Sequence, residues 1–328
     1  VNRFVIFGDL HLNNYKNFHT ILPTGMNSRL QAQLDVVDQV IELAKKNKVD
    51  AIIFLGDLFD SDGEYVSKIV YDMAAKVVRN LAATAPLYLI TGNHDIYRKV
   101  NLLSHFLDYP DVTVVTQQIE LECEGFWITM VGWGFDFNIN PEHTPNILCG
   151  HFGINGCQLN QWQTFTGPLM PRQFAAFAKV FTGHIHKKQI MGPNIIYVGA
   201  VMQHEMGDLG DEKGITLMLD QQLKFVKTKA PQFRRVEIYT EKDLKDYTMD
   251  RGEDYYEIVL KSDTVEYIPT SYKEKVVEDF EYATETRLET VQGEELMDTV
   301  ERFIDKANTA IDKKQAKDFL RDLAKGVK

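Results

Sequence analysis

The chain is short of several things, and each shortage removes a class of explanation. Only three cysteines occur in 328 residues, Cys123, Cys149 and Cys157, and none sits in a CxxC spacing. An odd, scattered set supports neither a disulfide framework nor a zinc ribbon, so a reducing cytoplasm is the expected setting. No apolar run approaches the roughly 18–20 residues that cross a bilayer. The opening stretch Val1 to Phe7 reads as a core strand rather than a targeting segment, so no membrane is expected to be involved. Repeats and low-complexity tracts are also missing. Basic charge is not in excess: Lys and Arg number 36 against 47 Asp and Glu, a net charge of −11. The deficit is uneven. Residues 1–236 hold 21 basic and 23 acidic side chains, whereas residues 237–328 hold 15 and 24. The acidity therefore belongs mainly to the last third, and charge alone neither demands nor forbids a nucleic-acid substrate.

What is present is a regular alternation. Val5-Ile6-Phe7, Ala51 to Leu55 and Leu87 to Ile90 are continuous apolar runs, separated by segments with helical periodicity. Leu30, Leu34, Val37, Ile41 and Ala44 recur at three- and four-residue spacing, which predicts a helix over 28–46 with Ser28 as its N-cap and one buried face. A second helix is predicted over 65–83. Apolar strands between helices imply a sheet covered on both faces. From Val112 onwards strand-like runs dominate, including a hairpin over 215–219 and 223–227, and a second sheet packed on the first is expected. After Arg235 short strands mix with acidic helical stretches. Residues 294–325 read as two helices joined near Asp312-Lys313. Leu296, Val300, Phe303, Ile304 and Ala307 mark one apolar stripe, and Ala316, Phe319, Leu320 and Leu323 another.

Five apolar runs end in a glycine followed by a metal-type ligand. They give Gly8-Asp9-Leu10-His11, Gly56-Asp57, Gly92-Asn93-His94-Asp95, Gly150-His151 and Gly183-His184-Ile185-His186. Strand ends on one side of an α/β sheet converge on one crevice. A mixed oxygen and nitrogen set suits Mn, Fe or Zn rather than Ca. There are too many ligands for one ion. Two ions on the order of 3.5–4 Å apart would use them all and would suit in-line attack at phosphorus. Each piece alone has a plainer explanation, since Gly-Asp at a strand end is usually a turn and His-x-His is usually not a ligand. The five together, in order, have none. Histidines outside these blocks, His19, His105 and His143, read as loop or helix-surface residues. Cys149 reads as a small core residue beside His151.

The set GDxH, GD, GNHD, GH and GHxH resembles the calcineurin-like metallophosphoesterase superfamily over about residues 3–200. The resemblance implies a four-layer α/β/β/α sandwich of two packed mixed sheets. It assigns Asp9, His11 and His186 to one ion, Asn93, His151 and His184 to a second, and Asp57 to both. It gives His94 a catalytic role at the phosphate, supported by Asp95. Within the superfamily, Gly56-Asp57-Leu58-Phe59-Asp60 departs from the GDxVDRG of protein phosphatases. With GHIH followed by Tyr197-Val198-Gly199-Ala200, it is similar to the SbcD-type nucleases of DNA repair and recombination. His151 to Gly156 is most similar to the bacteriophage members.

That finer resemblance implies a nuclease using two divalent ions, manganese first, with magnesium, iron or zinc as alternatives. It would degrade duplex ends and cut single strands. It also implies residues 1–235 as the nuclease domain, 236–290 as a small DNA-facing cap and 291–328 as a helical segment gripping an SMC-like coiled-coil ABC ATPase. A homodimer through helices near the active-site face is implied as well. Arg98 and Lys99, and Lys187 and Lys188, lie where DNA phosphates could be met. His204 is a candidate on the substrate side. The block Gly199 to Glu205 lacks the Ser or Pro common there in the family, which puts pocket details in doubt. Two other classes stay open: a free-standing phosphodiesterase of small nucleotides, and a mainly architectural subunit.

Overall fold

The computed structural model describes residues 2–61, 65–138, 142–160, 162–250, 252–269, 271, 273–279, 296–306 and 312–326. Its elements run β1 (Arg3–Phe7), α1 (Ser28–Asn47), β2 (Ala51–Phe54), α2 (Lys68–Ala82), β3 (Leu87–Ile90), β4 (Ile96–Tyr97), β5 (Val100–Asn101) and β6 (Val112–Val115). Then come β7 (Ile119–Cys123), β8 (Phe126–Met130), β9 (Asn146–His151), β10 (Lys179–Gly183), β11 (Gln189–Met191), β12 (Ile195–Tyr197), β13 (Gly214–Leu219) and β14 (Gln222–Lys227).

Two six-stranded mixed sheets result, ordered β14-β13-β1-β2-β3-β6 and β11-β12-β10-β9-β8-β7. In the first, β1, β2, β3 and β6 are parallel, and the β13–β14 hairpin closes one side antiparallel. In the second, β8, β9, β10 and β12 are parallel between antiparallel edges β7 and β11. Val112 to Val115, read as the start of the second sheet, instead pairs with β3 at the edge of the first. Strand alternation explains how the layers stack. Val5 and Phe7 face one cluster with Leu30, Val37 and Val78 of the helices. Phe4 and Ile6 face the other way, against Ile128, Cys149 and Phe181 of the second sheet. The α/β/β/α stack is thus visible in its first three layers. The outer face of the second sheet is covered, among the described residues, by a short turn of 3₁₀ helix at Pro171–Phe174 and by Phe152, Phe174 and Phe177.

The N-cap of α1 is Asn27, not Ser28. Asn27 Oδ1 accepts from the backbone N–H of Arg29 at 2.8 Å and of Leu30 at 3.3 Å, whereas Ser28 Oγ accepts from Thr20 N–H. Leu30, Val37, Ile41 and Ala44 are buried as the spacing requires, and Leu34 is half-buried. Helix α2 starts at Lys68, because Ser67 is still extended, and leaves Tyr65 exposed before it.

A third sheet of three parallel strands follows: β15 (Phe233–Ile238), β16 (Tyr255–Leu260) and β17 (Glu274–Glu278), with α3 (Glu241–Asp250) between the first two. It begins two residues before the boundary expected at 235. The chain divides into two compact units, Val1–Glu278 and Asp279–Lys328. The second holds α4 (Leu296–Lys306) and α5 (Lys313–Gly326), paired by Arg321–Glu301 and Lys317–Asp305 ion pairs. Val300, Ala316 and Leu320 of the two stripes are half-buried, whereas Phe319 is 65% exposed. The side chains of Leu296, Phe303 and Leu323, the whole of Ala307, and residues 280–290 of the expected cap lie outside the described residues.

Candidate active site

All five motif blocks leave their strands on one side of the two-sheet core. Asp9 and His11 follow β1, Asp57 follows β2, and Asn93 and His94 follow β3. His151 ends β9, while His184 and His186 follow β10. The turns are tight. Asp9, His11, Asp57 and His184 all adopt positive φ, of 51°, 48°, 57° and 81°. Asp and His tolerate this left-handed region better than most residues, but each such position costs about 1–3 kcal/mol. The surrounding hydrogen bonds hold them there. Two glycines make room. Gly56 has φ of +100°, and a side chain on it would lie 2.6 Å from His151 Nδ1. A Cβ on Gly92 would meet Asp57 Oδ1 at 2.1 Å.

The polar side chains converge within hydrogen-bond distance of one another. His11 Nε2 and His186 Nε2 are 3.0 Å apart. Asn93 Oδ1 lies 3.0 Å from His151 Nε2 and 2.9 Å from His184 Nδ1. Asp57 Oδ2 lies 3.1 Å from His151 Nε2 and 3.5 Å from His11 Nε2. His151 Nδ1 faces the Leu55 carbonyl at 2.7 Å, which fixes its proton there and leaves the Nε2 lone pair for the crevice. Asp9 Oδ1 accepts from His184 N–H at 2.9 Å, while Asp9 Oδ2 is buried with no hydrogen-bond partner. A buried carboxylate oxygen without a donor needs a cation. The donor atoms fall into three overlapping groups: Asp9, His11 and His186; His11, Asp57 and His94; Asp57, His151 and His184. Asp57 and His11 each belong to two. The donor set fits two divalent ions sharing Asp57.

Titration tells the same story. Burial alone would raise Asp57, but His151, His11 and His94 more than offset it and hold the carboxylate below its ordinary range. Burial would lower His151, and Asp57 overcomes that, pushing it up to about 9. Burial and the His151 charge push His184 down to about 3. One proton on His151 and a metal ion are alternative ways to bring positive charge among these lone pairs. His184 stays a neutral donor.

His94 sits where the motif puts it, its N–H donating to Asp57 Oδ1 at 2.9 Å. Its supporting carboxylate is not the one expected. Asp95 is fully buried and accepts three backbone N–H groups, from Asp57 at 3.0 Å, Phe59 at 3.0 Å and Gly92 at 2.9 Å. It staples the β2 and β3 turns together. Burial and the Asp57 charge push its carboxyl up to about 7, against the pull of its backbone donors. The carboxylate facing the His94 ring is Asp60, 3.3 Å from Nδ1, and it also lies 3.6 Å from His11 Nδ1. Burial opposes its charge, but hydrogen bonds from His11, His94 and Asn13 hold it well below the carboxylate range. Asp60 stands in the GDLFD block, three residues after a ligand. Nothing in the spacing alone distinguishes it from a solvated acid.

His204 is only 7% exposed and is buried alongside Asp9 and His11. Its Nε2 donates to the Asp9 carbonyl at 2.8 Å, and its ring packs edge-on against His11 and His186. Burial drives its pKa well below the ordinary value, so it acts as a neutral prop.

The remaining basic residues are placed as follows. Arg98 and Lys99 form the exposed tip of the β4–β5 hairpin directly after His94. Lys187 is half-buried, and Lys188 lays its Nζ 3.6 Å over the Phe225 ring.

A supporting layer escaped the sequence. Asp208 lies 3.7 Å from His186 Nδ1, accepts from His204 N–H at 2.8 Å and pairs with buried Lys213. Such carboxylates orient metal-binding imidazoles. Gln33 of α1 donates to the carbonyls of Leu10 and His11. Arg29 donates to the His204 carbonyl and is covered by Tyr15 and by Phe233 and Tyr255 of the third sheet.

Comparison with known proteins agrees with this geometry. Residues 2–188 match the family described as calcineurin-like phosphoesterase. The chain is similar to exonuclease subunit 1 of Enterobacteria phage T4, 28% identical over 234 residues, covering 66% of this chain and 68% of that protein. It is 24% identical over 187 residues to putative phosphoesterase 078R of Invertebrate iridescent virus 3, covering 52% and 53%. It is 23% identical over 232 residues to a subunit of the nuclease SbcCD of Staphylococcus saprophyticus, covering 58% and 60%. The matches to the last two thus span only a little over half of those proteins.

Proposed function

The chain belongs to the calcineurin-like phosphoesterase family, and from that membership and the geometry above we propose that it is a two-metal DNA nuclease acting in recombination or repair. The observation that carries the reading is the convergence of Asp9, His11, Asp57, Asn93, His151, His184 and His186 on one crevice with His94 beside it. DNA as the substrate is supported by relatives named as an exonuclease subunit and a nuclease subunit.

Asp9, His11 and His186 would hold one divalent ion and Asn93, His151 and His184 a second, with Asp57 shared. The mixed oxygen–nitrogen set admits manganese, iron or zinc, and manganese is the ion proposed on the likeness to the nuclease relatives. Bound ions supply positive charge to the phosphate and lower the pKa of water at the site. The protein's own part is positioning and proton transfer. Asp60 orients the His94 ring from Nδ1, which leaves Nε2 as the atom that gives a proton to the leaving oxygen. Asp95 and Asp208 hold the turns and His186 in register. Arg98 and Lys99, at the exposed hairpin tip, suit backbone phosphates, which position DNA without reading its sequence.

The word subunit in both relatives' names supports a partner protein, which we propose to be an SMC-like ATPase gripped by the α4–α5 pair. Tyr65 and Ile69, exposed at the start of α2, suit a second copy of the chain. The test is degradation of an end-labelled linear duplex in Mn²⁺, with EDTA and His94→Ala controls. A product ladder in the wild type that is absent from both controls supports the reading. Brisk hydrolysis of a small phosphodiester without DNA cleavage would replace it with a small-nucleotide phosphodiesterase.

A further inference from the structure

The arm that follows β9 touches the crevice through Phe165 and carries an exposed aromatic side chain that the core does not use. Residues 155–160 and 162–169 form the two sides of a hairpin-like arm after β9. Its two sides are joined by Asn155 N–H to Leu169 O at 2.8 Å, Gly156 N–H to Phe165 O at 2.9 Å, Phe165 N–H to Cys157 O at 2.7 Å and Leu159 N–H to Gln163 O at 2.9 Å. At its tip Asn160 Oδ1 accepts from both Trp162 N–H and Gln163 N–H, each at 2.9 Å. The arm is tied to β11 by paired Gln158 and Gln189 hydrogen bonds of 2.8 and 2.7 Å. At its base, Phe165 packs edge-on against the metal ligand His184, ring centres 5.7 Å apart. On this braced arm Trp162 is 82% exposed. It lies three residues from Phe165, so the two backbones are at most roughly 10 Å apart.

The charge around it is unlike the rest of the chain. Between Glu142 and Glu205 there is no Asp or Glu, while Arg172, Lys179, Lys187 and Lys188 lie in that stretch. A chain of net charge −11 thus keeps carboxylates off this arm and the strands that flank it. An exposed indole on a braced arm beside a phosphoester site, in a segment free of negative charge, has the chemistry of a base-stacking platform. We propose that Trp162 stacks on an unpaired or terminal DNA base next to the scissile phosphate. The indole covers the face of the base and makes no sequence-specific contact, so every base is accepted. This role rests on the nuclease reading and assigns it a substrate form: a single-stranded or frayed end.

The test compares Trp162→Ala and Trp162→Phe in the full chain. The substrates are a labelled duplex with a single-stranded tail and bis(p-nitrophenyl) phosphate, in Mn²⁺. Loss of one stacked base corresponds to a roughly 5- to 100-fold loss in kcat/KM on DNA. Trp162→Ala is expected to lose that much more on DNA than on the ester. Trp162→Phe, which keeps a ring, is expected to recover most of it. In the wild type, a single-stranded oligonucleotide should quench tryptophan emission, and the quench should shrink in Trp162→Phe to the part that Trp133, beside His184, and Trp127 contribute. DNA cleavage by Trp162→Ala within twofold of wild type, or an equal loss on both substrates, would overturn the stacking role while leaving the nuclease reading intact. A wild type that hydrolyses the ester and leaves DNA uncut would overturn both.

Discussion

Two ion pairs of similar chemistry sit in opposite surroundings in this molecule. Lys213 and Asp208 meet at 2.5 Å with side chains only 5% and 6% exposed, beside the candidate metal ligand His186. Arg321 and Glu301 meet at the same 2.5 Å between the C-terminal helices, with 54% and 20% exposure. Equal distances do not mean equal roles. In water the attraction is screened and competes with side-chain entropy, so an exposed pair contributes little. In the buried crevice the same contact fixes geometry, and removing one partner strands a charge. The region around the ligands is therefore rigid by construction, and the helix pair rests on packing.

Mutation can break or sharpen that contrast. His94→Ala carries the largest expected effect, a loss of about 10²–10⁴ in turnover, as for a removed general acid. Turnover measured with metal content unchanged checks it, and full activity would remove His94 from the chemistry. Lys213→Met leaves the buried Asp208 without its lysine partner, with His186 and the His204 N–H beside it, and is expected to destabilise the fold by about 3–5 kcal/mol. Denaturant unfolding reads this directly, and a change under ~1 kcal/mol would place the pair with the exposed class. For Asp60→Asn, which removes the charge facing His94, turnover is expected to fall about 10- to 100-fold. An unchanged rate there would show that the His94 ring needs no orienting carboxylate. Glu301→Gln should leave the melting temperature where it was. A drop of several degrees would mean that the helix pair depends on its ion pair after all.

The same contrast explains what could be read from the sequence. The candidate metal ligands are legible because strand ends, glycines and ligand types recur in one pattern, and Asp9, His11, Asp57, Asn93, His151, His184 and His186 all arrive in the crevice. Their props are not legible, because a prop is defined by contacts between distant segments. Asp208 finds His186 and Lys213, and Arg29 finds the His204 carbonyl 175 residues away. Asp95 misleads for the opposite reason: it is adjacent to His94 in sequence, but its side chain turns inward to three backbone N–H groups. The His204 imidazole reaches the Asp9 carbonyl, a contact across 195 residues that a strand end alone does not foretell. In the fold, the two-sheet core follows from apolar runs and their alternation. The placement of Val112 to Val115 in the first sheet does not, since an edge strand can pair with either sheet until the loops are known.

The central claim is that the lone pairs converge to hold two ions through a shared Asp57. Counting bound Mn²⁺ by calorimetric titration of metal-stripped protein tests it most directly, in the wild type and in Asp57→Ala. The account predicts two ions per wild-type chain and no more than one in Asp57→Ala. A single ion in a fully active wild type, or two ions retained by Asp57→Ala, would contradict it.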